Sequence, residues 1–162
     1  AASCSVTLGT PGLQEPASKH VPEGTTVEYC SNPPTSGPHF AVWADFKEYA
    51  TEVPWPYLVH SEEHGGTLLL YKCEQPCPEL VEQLRAAATR APIDARCNEQ
   101  GRPLLKRIII APSSTIPTRV AAAAWGATYT ADCVDDATLD EFIVKRGQKG
   151  PEDICFAGRA TF

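Results

Sequence analysis

The cysteine content most constrains what this chain can fold into, because seven cysteines occur in 162 residues. None of them forms the paired C-x2-C pattern of a zinc ribbon. Disulfides made in an oxidising compartment are the simplest explanation for such usage. Because the number is odd, at least one thiol is free, modified, metal-bound or paired with another chain. The seven are Cys4, Cys30, Cys73, Cys77, Cys97, Cys133 and Cys155.

Three residues separate Cys73 from Cys77, so this pair could form a local disulfide. Some periplasmic copper chaperones have the same spacing, and a structural disulfide between either cysteine and another of the set is the alternative. The chain contains no methionine and opens Ala1-Ala2-Ser3-Cys4, as a mature product does after its signal segment has been removed. We therefore expect a secreted or periplasmic protein.

Length and charge exclude several classes of function. A chain of this length can bury a core of its own. Its formal net charge is −6, and its basic residues form no patch, so nucleic acid is not an expected partner. The longest apolar run, residues 120–125, is far shorter than the roughly 20 residues of a transmembrane helix.

Proline dominates the first third of the chain, where residues 1–56 hold eight of the 15 prolines. No sustained helical or strand periodicity is present there, which predicts ordered loops with a strand at residues 25–29 and a helical turn at residues 44–50. We divide the chain into an N-terminal segment, 1–24, and a single domain, 25–162.

From residue 67 onward the pattern becomes that of alternating strands and helices. Apolar runs bounded by turn residues predict three strands and the continuation of the last one beyond a bend at Gly126, at residues 67–72, 107–111, 119–125 and 127–131. Apolar residues at helical spacing predict a helix over residues 78–90, which Pro78 begins and Pro92 ends.

A second helix is predicted by the capping box that Thr138 and Glu141 form, with Gly147 at its end. This order of elements predicts an α+β fold: a two-layer sandwich with a small mixed sheet and helices on one side, preceded by the proline-rich loops. A thioredoxin-like arrangement would fit the same order.

Three of the four histidines lie in two dense motifs. His39 ends the stiff segment 31–39, SNPPTSGPH, and His60 and His64 belong to residues 60–66, HSEEHGG. In an extended segment the latter two would lie about 13 Å apart, whereas one helical turn brings their Cβ atoms within about 6 Å, close enough to chelate one ion. A mononuclear site needs further ligands, which His39 and Glu63 or Glu62 could supply. The remaining histidine, His20, is predicted to be an exposed loop residue.

Two other interpretations of the histidines remain open. Residues 60–64 match H-x-x-E-H, an inverted zinc-peptidase motif in which Glu63 would activate a metal-bound water, but those enzymes place it on a long helix. Alternatively, the histidines belong to a metal-free polar network that holds the proline-rich loops on the sheet. The aromatic residues around the motifs could wall a pocket or pack the loops, and they are Trp43, Tyr49, Trp55 and Tyr57.

The sequence resembles an uncharacterised family of secreted or membrane-anchored, mostly bacterial domains, catalogued as a domain of unknown function. The resemblance rests on residues 31–39, on residues 59–66 and on Ala124-Trp125-Gly126, and it covers about residues 25–150. It implies that His39, His60, Glu63 and His64 belong to the family's own motifs, as residues of a shared site would. The cysteines depart from that pattern, so extra disulfides or a ligand such as Cys30 could be peculiar to this chain.

Together these observations predict a secreted domain with one transition-metal ion. Its ligands would be His39, His60 and His64, with Glu63 as a ligand or an orienting partner. Imidazole suits several metals, and copper is favoured over zinc for metal handling or redox chemistry. The competing hypotheses are a metal-free structural or interaction module and a metal-dependent hydrolase with Glu63 as its catalytic residue.

Overall fold

A mixed five-stranded sheet forms the centre of the computed structural model, which describes residues 3–162. The strands are β1 (Val6–Gly9), β2 (His20–Val21), β3 (His39–Phe40), β4 (Thr67–Tyr71), β5 (Ile108–Pro112), β6 (Val120–Ala124) and β7 (Ala127–Ala131). The helices are α1 (Trp55–Glu63), α2 (Pro78–Arg90), α3 (Ala95–Glu99) and α4 (Asp136–Arg146). The predicted α+β class with a mixed sheet is confirmed.

The strand order in the main sheet is β1-β7-β6-β4-β5. Strands β4 and β5 are parallel, and every other neighbouring pair is antiparallel. The two short strands β2 and β3 form a separate parallel pair, in which His20 lies opposite His39. The N-terminal segment thus contributes β1 to an edge of the main sheet and His20 to the strand beside His39.

Helices cover both faces of the sheet. Helices α2 and α4 pack on one face through side chains such as Leu84 and Phe142, whereas α1 packs on the other through Tyr57 and Leu58. The predicted placement of the helices on one side is therefore wrong. The central strands are continuous apolar runs, and both faces of such strands need to be covered.

Most predicted elements of the second half of the chain are confirmed. The apolar runs form β4, β5 and β6, and α2 has the predicted bounds. Residues 127–131 do not continue β6 as predicted but turn back at Gly126, at a φ of +74°, to form the antiparallel strand β7. Helix α4 begins one turn earlier than the capping box predicted, because the carboxylate of Asp135 accepts a hydrogen bond from the backbone N–H of Thr138. The short helix α3 was not predicted.

The two elements predicted in the proline-rich part are wrong. Residues 25–29 form no strand, and residues 44–50 form no helical turn. The second segment instead runs beside β5, where the Tyr49 N–H donates to the carbonyl of Ile110 and the Ile110 N–H donates to that of Lys47. Backbone pairing with β5 therefore replaces hydrogen bonding within a helix.

Three disulfides cross-link the described residues: Cys4–Cys133, Cys73–Cys77 and Cys97–Cys155. Cys30 is a free, exposed thiol, as the odd number of cysteines requires. Of the two pairings left open by the sequence for Cys73 and Cys77, the structure has the local disulfide. Within residues 3–162, no helix combines the length and the apolar character needed to cross a membrane.

Candidate metal centre

Helix α1 supplies one wall of the histidine cluster. It is nine residues long, starts after Pro54 and ends at Glu63, and the N–H of the next residue, His64, donates to the carbonyl of His60 over 3.2 Å. Gly65 then turns the chain at a φ of +94°, a conformation that side chains rarely adopt. This short helix places the rings of His60 and His64 one turn apart on the same side, as the helical interpretation of the motif predicted.

Strand β3 supplies the facing wall. Its first residue, His39, is fully buried, and its ring centroid lies 4.8 Å from that of His60. The pairing of β2 with β3 brings His20 to 5.0 Å from the His60 ring and 5.2 Å from the His39 ring. The structure therefore brings all four histidines of the chain into one cluster.

Backbone carbonyls fix the tautomers of two rings. The Nδ1 atom of His39 lies 2.8 Å from the carbonyl oxygen of Gly37, and that of His60 lies 2.6 Å from the carbonyl oxygen of Phe40. A carbonyl oxygen can only accept, so Nδ1 carries the proton in both rings. Whenever such a ring is neutral, its Nε2 atom presents a lone pair, as in a histidine ligand held by its outer partners.

The Nε2 atoms lie close to other ring nitrogens and to carboxylate oxygens. His39 Nε2 lies 2.9 Å from Glu63 Oε2, and His60 Nε2 lies 3.8 Å from the same oxygen. His60 Nε2 and His64 Nε2 are 3.0 Å apart, and Glu152 Oε2 lies 3.1 Å from His64 Nε2. Converging acceptors need a proton or a cation between them.

The ligand atoms form two overlapping groups, in each of which all members lie within 4.8 Å of one another. The first contains His20, His39, His60 and Glu63, and the second contains His60, Glu63, His64 and Glu152. His60 and Glu63 belong to both groups. The predicted ligands His39 and His64 lie on opposite sides of this shared pair.

Burial sets the protonation of the cluster. It lowers the pKa of His60 and of His64 to about 4, because the charged imidazolium is poorly solvated there. Burial raises the pKa of Glu63, but hydrogen bonds from His39 and Ser18 outweigh it, so the net pKa is lowered. At neutral pH His60 and His64 are therefore neutral imidazoles beside the ionised carboxylate of Glu63, the forms in which these side chains bind metals.

Two members of the cluster were not predicted as site residues. His20 is exposed, as expected, but the parallel pairing of β2 with β3 brings it beside His39, and a two-residue strand gives no sequence signal. Glu152 arrives from the C-terminal loop, where its N–H donates to the carbonyl of Glu63. Gly150 makes this approach possible, since a Cβ atom there would overlap the end of α1.

Two of the candidate ligands lie outside both groups. Glu62 is fully buried, and neither of its carboxylate oxygens has a hydrogen-bond partner among the described residues. Burial raises its pKa well above the usual range. Cys30 is exposed and belongs to neither group. Of the aromatic residues, Trp43 covers the cluster, with its ring centroid 4.7 Å from that of His64.

The fold and the cluster define an α+β domain whose centre of interest is a buried set of histidines and carboxylates. Comparison with family models agrees with the resemblance noted in the sequence. The chain belongs to the family described as protein of unknown function (DUF3105), whose model matches residues 20–156. Among curated proteins and among solved structures, no significant match was found.

Proposed function

We propose that this domain binds one transition-metal ion at the histidine cluster. The observation that carries the proposal is the convergence of the Nε2 atoms of His39 and His60, whose Nδ1 protons are held by backbone carbonyls, on the carboxylate of Glu63. A cation at this point would replace facing acceptors by metal–ligand bonds. The backbone carbonyls orient the rings of His39 and His60 for binding.

The spacing of the donor atoms supports the proposal. With metal–nitrogen bonds of about 2.0 to 2.1 Å, two donors on the same ion lie about 2.8 Å apart at a right angle and about 3.4 Å apart at a tetrahedral angle. His60 and His64 present Nε2 atoms 3.0 Å apart. The pair could therefore chelate an ion with small adjustments of the side chains.

We expect one ion per chain because the two ligand groups share His60. Its Nδ1 is engaged by the Phe40 carbonyl, so it has a single nitrogen to offer, and both ligand groups need that nitrogen. We assign His39, His60 and His64 as ligands, with Glu63 as a ligand or as the partner that orients His39; because His39 and His64 belong to different groups, side chains must move for both to reach one ion. Exposed His20 would be a further ligand on the side of His39, and exposed Glu152 would be one on the side of His64.

Copper is the metal we favour, ahead of zinc. Imidazole nitrogens bind both ions, and the absence of methionine disfavours a thioether site for Cu(I). Three disulfides are consistent with an extracytoplasmic, oxidising location, where Cu(II) is accessible. The corresponding role is metal handling or redox chemistry.

A metal-free module is the second candidate, and one contact favours it. The pair His39–Glu63 at 2.9 Å is also the geometry of an imidazolium–carboxylate hydrogen bond, which would lock β3 against α1 with no ion. In that account the cluster stabilises the loops and chelators leave the protein unchanged.

Elemental analysis followed by titration separates the two candidates. Protein produced in a secreting host and purified without metal-affinity steps should contain about one ion per chain. The apoprotein should bind Cu(II) or Zn(II) with the same stoichiometry, and the His60→Ala/His64→Ala variant should not. Glu79→Gln, a change at an exposed carboxylate far along the chain, is the matched control. Absence of binding tighter than micromolar in the unsubstituted protein would leave the metal-free module.

A further inference from the structure

The Cys73–Cys77 disulfide occupies a distinctive place in the fold. It lies in the connection between the central strand β4, which ends at Tyr71, and helix α2, which begins at Pro78. Cys77 is the residue that precedes the helix, and its carbonyl accepts hydrogen bonds from the N–H groups of Leu80 and Val81. Strand β4, helix α2 and the parallel strand β5 form a β-α-β unit, with the disulfide where the first strand joins the helix.

This disulfide differs from the other two in what it holds together. Cys4–Cys133 and Cys97–Cys155 join residues 129 and 58 positions apart in the sequence, whereas Cys73 and Cys77 are four positions apart. Closing so short a loop removes less conformational entropy from the unfolded chain than closing a long one. The two long-range disulfides therefore stabilise the fold more than Cys73–Cys77 does.

Both cysteines also lie beside open grooves on the surface. Cys73 and Cys77 are both partly exposed, as are Cys4 and Cys133, whereas Cys97 and Cys155 are fully buried. Grooves of about 680 and 640 Å³ flank the loop, and both cysteines line each of them. A thiol in solution can therefore approach this disulfide from either side.

The N-terminus of helix α2 favours Cys77 as the sulfur that leaves when the disulfide is reduced. The N-terminus of a helix carries a partial positive charge, which stabilises a thiolate beside it. Helix α2 is 13 residues long, and Cys77 precedes its first residue. Because a stabilised thiolate is the better leaving group, attack at Cys73 with departure of Cys77 is the favoured direction of exchange.

We propose that Cys73 and Cys77 form a reversible redox pair that exchanges with a dithiol. One thiolate of the dithiol attacks Sγ of Cys73, a mixed disulfide forms, and Cys77 leaves as a thiolate that takes up a proton. The second thiol of the co-reactant, after losing its proton, attacks its own sulfur in the mixed disulfide and releases Cys73, which is protonated in turn. Two electrons and two protons pass to the protein, and the co-reactant becomes a disulfide.

The redox pair and the histidine cluster are separate sites. His64 lies three residues before the start of β4, whereas Cys73 lies two residues after its end. A five-residue strand is about 16 Å long, so the strand keeps the two sites apart. The redox proposal therefore does not depend on metal binding, and each can fail without the other.

Graded reduction of the folded protein tests the proposal. Low concentrations of dithiothreitol at pH 7 should reduce Cys73–Cys77 at least about tenfold faster than Cys97–Cys155, with the far-ultraviolet circular dichroism unchanged. Alkylation followed by peptide mapping identifies the reduced cysteines. Oxidised glutathione should then restore the disulfide. Reduction of all three disulfides together, or only in denaturant, would overturn the proposal.

A pair of variants tests the direction of exchange. In Cys30→Ser/Cys73→Ser the single free thiol is Cys77, and its alkylation by iodoacetamide should reach half-maximal rate at a pH below about 8.5, the ordinary value for a thiol. The matched control, Cys73→Ser/Cys77→Ser, leaves exposed Cys30 as the free thiol. If the two profiles coincide, Cys77 is no better a leaving group than an ordinary thiol and the assigned order of attack is wrong.

Discussion

His60 is the residue on which the histidine cluster depends. Its ring is within hydrogen-bonding distance of Phe40 and His64 and lies 3.8 Å from Glu63. It is the histidine that belongs to both ligand groups. Its position follows from the end of α1, where residues 57–63 are all buried.

Protonation of the buried rings should make the metal-free protein sensitive to acid. The pKa of His60 and of His64 is about 4 in the folded state and about 6.5 when unfolded, so between these values the unfolded chain binds more protons. The contribution of the two neutral rings to the free energy of unfolding is therefore complete above pH 6.5 and decreases as the pH falls toward 4. Each ring contributes a slope of about 1.4 kcal/mol per pH unit.

The variant His64→Gln should remove about half of that slope. Denaturant unfolding in the presence of a chelator, at steps between pH 4.5 and 7, measures the free energy of unfolding for both proteins. An unchanged slope in the variant would show that His64 is not held neutral in the folded state.

Glu62 should have the opposite dependence on pH. Burial raises its pKa well above 4.5, so the folded state keeps a proton that the unfolded state loses as the pH increases. Its contribution therefore reduces stability as the pH rises above 4.5, and Glu62→Gln should abolish this component, at most about 1.4 kcal/mol per pH unit. Denaturant unfolding in the presence of a chelator measures the free energy of unfolding of Glu62→Gln and of Glu79→Gln, a control at an exposed carboxylate. The same pH profile in both variants would refute the raised pKa of Glu62.

The sequence predicted the site unevenly. The motifs contain His39, His60, Glu63 and His64, and the structure brings these residues to the two ligand groups. His20 and Glu152 reach the cluster through a two-residue strand pair and a C-terminal loop. Such long-range pairings leave no local pattern, so neither residue could be predicted as part of it.

At the scale of elements, a buried ion pair holds the region behind the cluster. Arg107, just before β5, donates two side-chain hydrogen bonds to Asp94, just before α3, at 2.7 and 2.9 Å. The same guanidinium donates to the carbonyl of His64 over 2.9 Å. This contact fixes the end of α1, and therefore the ring of His64, relative to the sheet.

Breaking that pair should be costly. Asp94→Ala leaves the Arg107 guanidinium, 2% exposed, without its main partner, and removal of one member of a buried pair costs about 3 to 5 kcal/mol. The matched control is Glu48→Ala, which breaks the exposed pair with Arg85 and should cost at most about 1 kcal/mol. Equal losses in the two variants, measured by denaturant unfolding, would contradict this role for Asp94.

Elements that depend on local pattern were predicted, and those that depend on distant pairing were not. Helix α2 buries Leu80, Leu84 and Ala87 at helical spacing, and β4 is a run of apolar residues. Residues 44–50, by contrast, take their conformation from β5. The proline-rich part has no helical or strand periodicity that could indicate its elements, so its predicted strand and helical turn were wrong.

Across the whole molecule, the two long-range disulfides connect the ends of the chain to the centre. Cys4–Cys133 joins the segment before β1 to the residues after β7, and Cys97–Cys155 joins α3 to the C-terminal loop that also carries Glu152. The second of these disulfides therefore restrains the loop that approaches the histidine cluster.

The disulfides should contribute unequally to stability. In the chain-entropy description, loss of Cys97–Cys155 costs about 4 kcal/mol, whereas loss of Cys73–Cys77 costs about 2 kcal/mol. The double variants Cys97→Ala/Cys155→Ala and Cys73→Ala/Cys77→Ala, compared by denaturant unfolding, test this order. A larger loss from the local pair would assign it a structural role and weaken the redox proposal.

The crystal structure of the protein loaded with Cu(II) tests the central claim most directly. Anomalous difference maps at the copper edge should show one peak per chain, within about 2.2 Å of His60 Nε2 and in contact with at least one further histidine of the cluster. The same experiment with Zn(II) determines whether the site also accepts that ion. A loaded crystal with no peak for either ion at the cluster, or with its peak elsewhere on the chain, would contradict the proposed metal site.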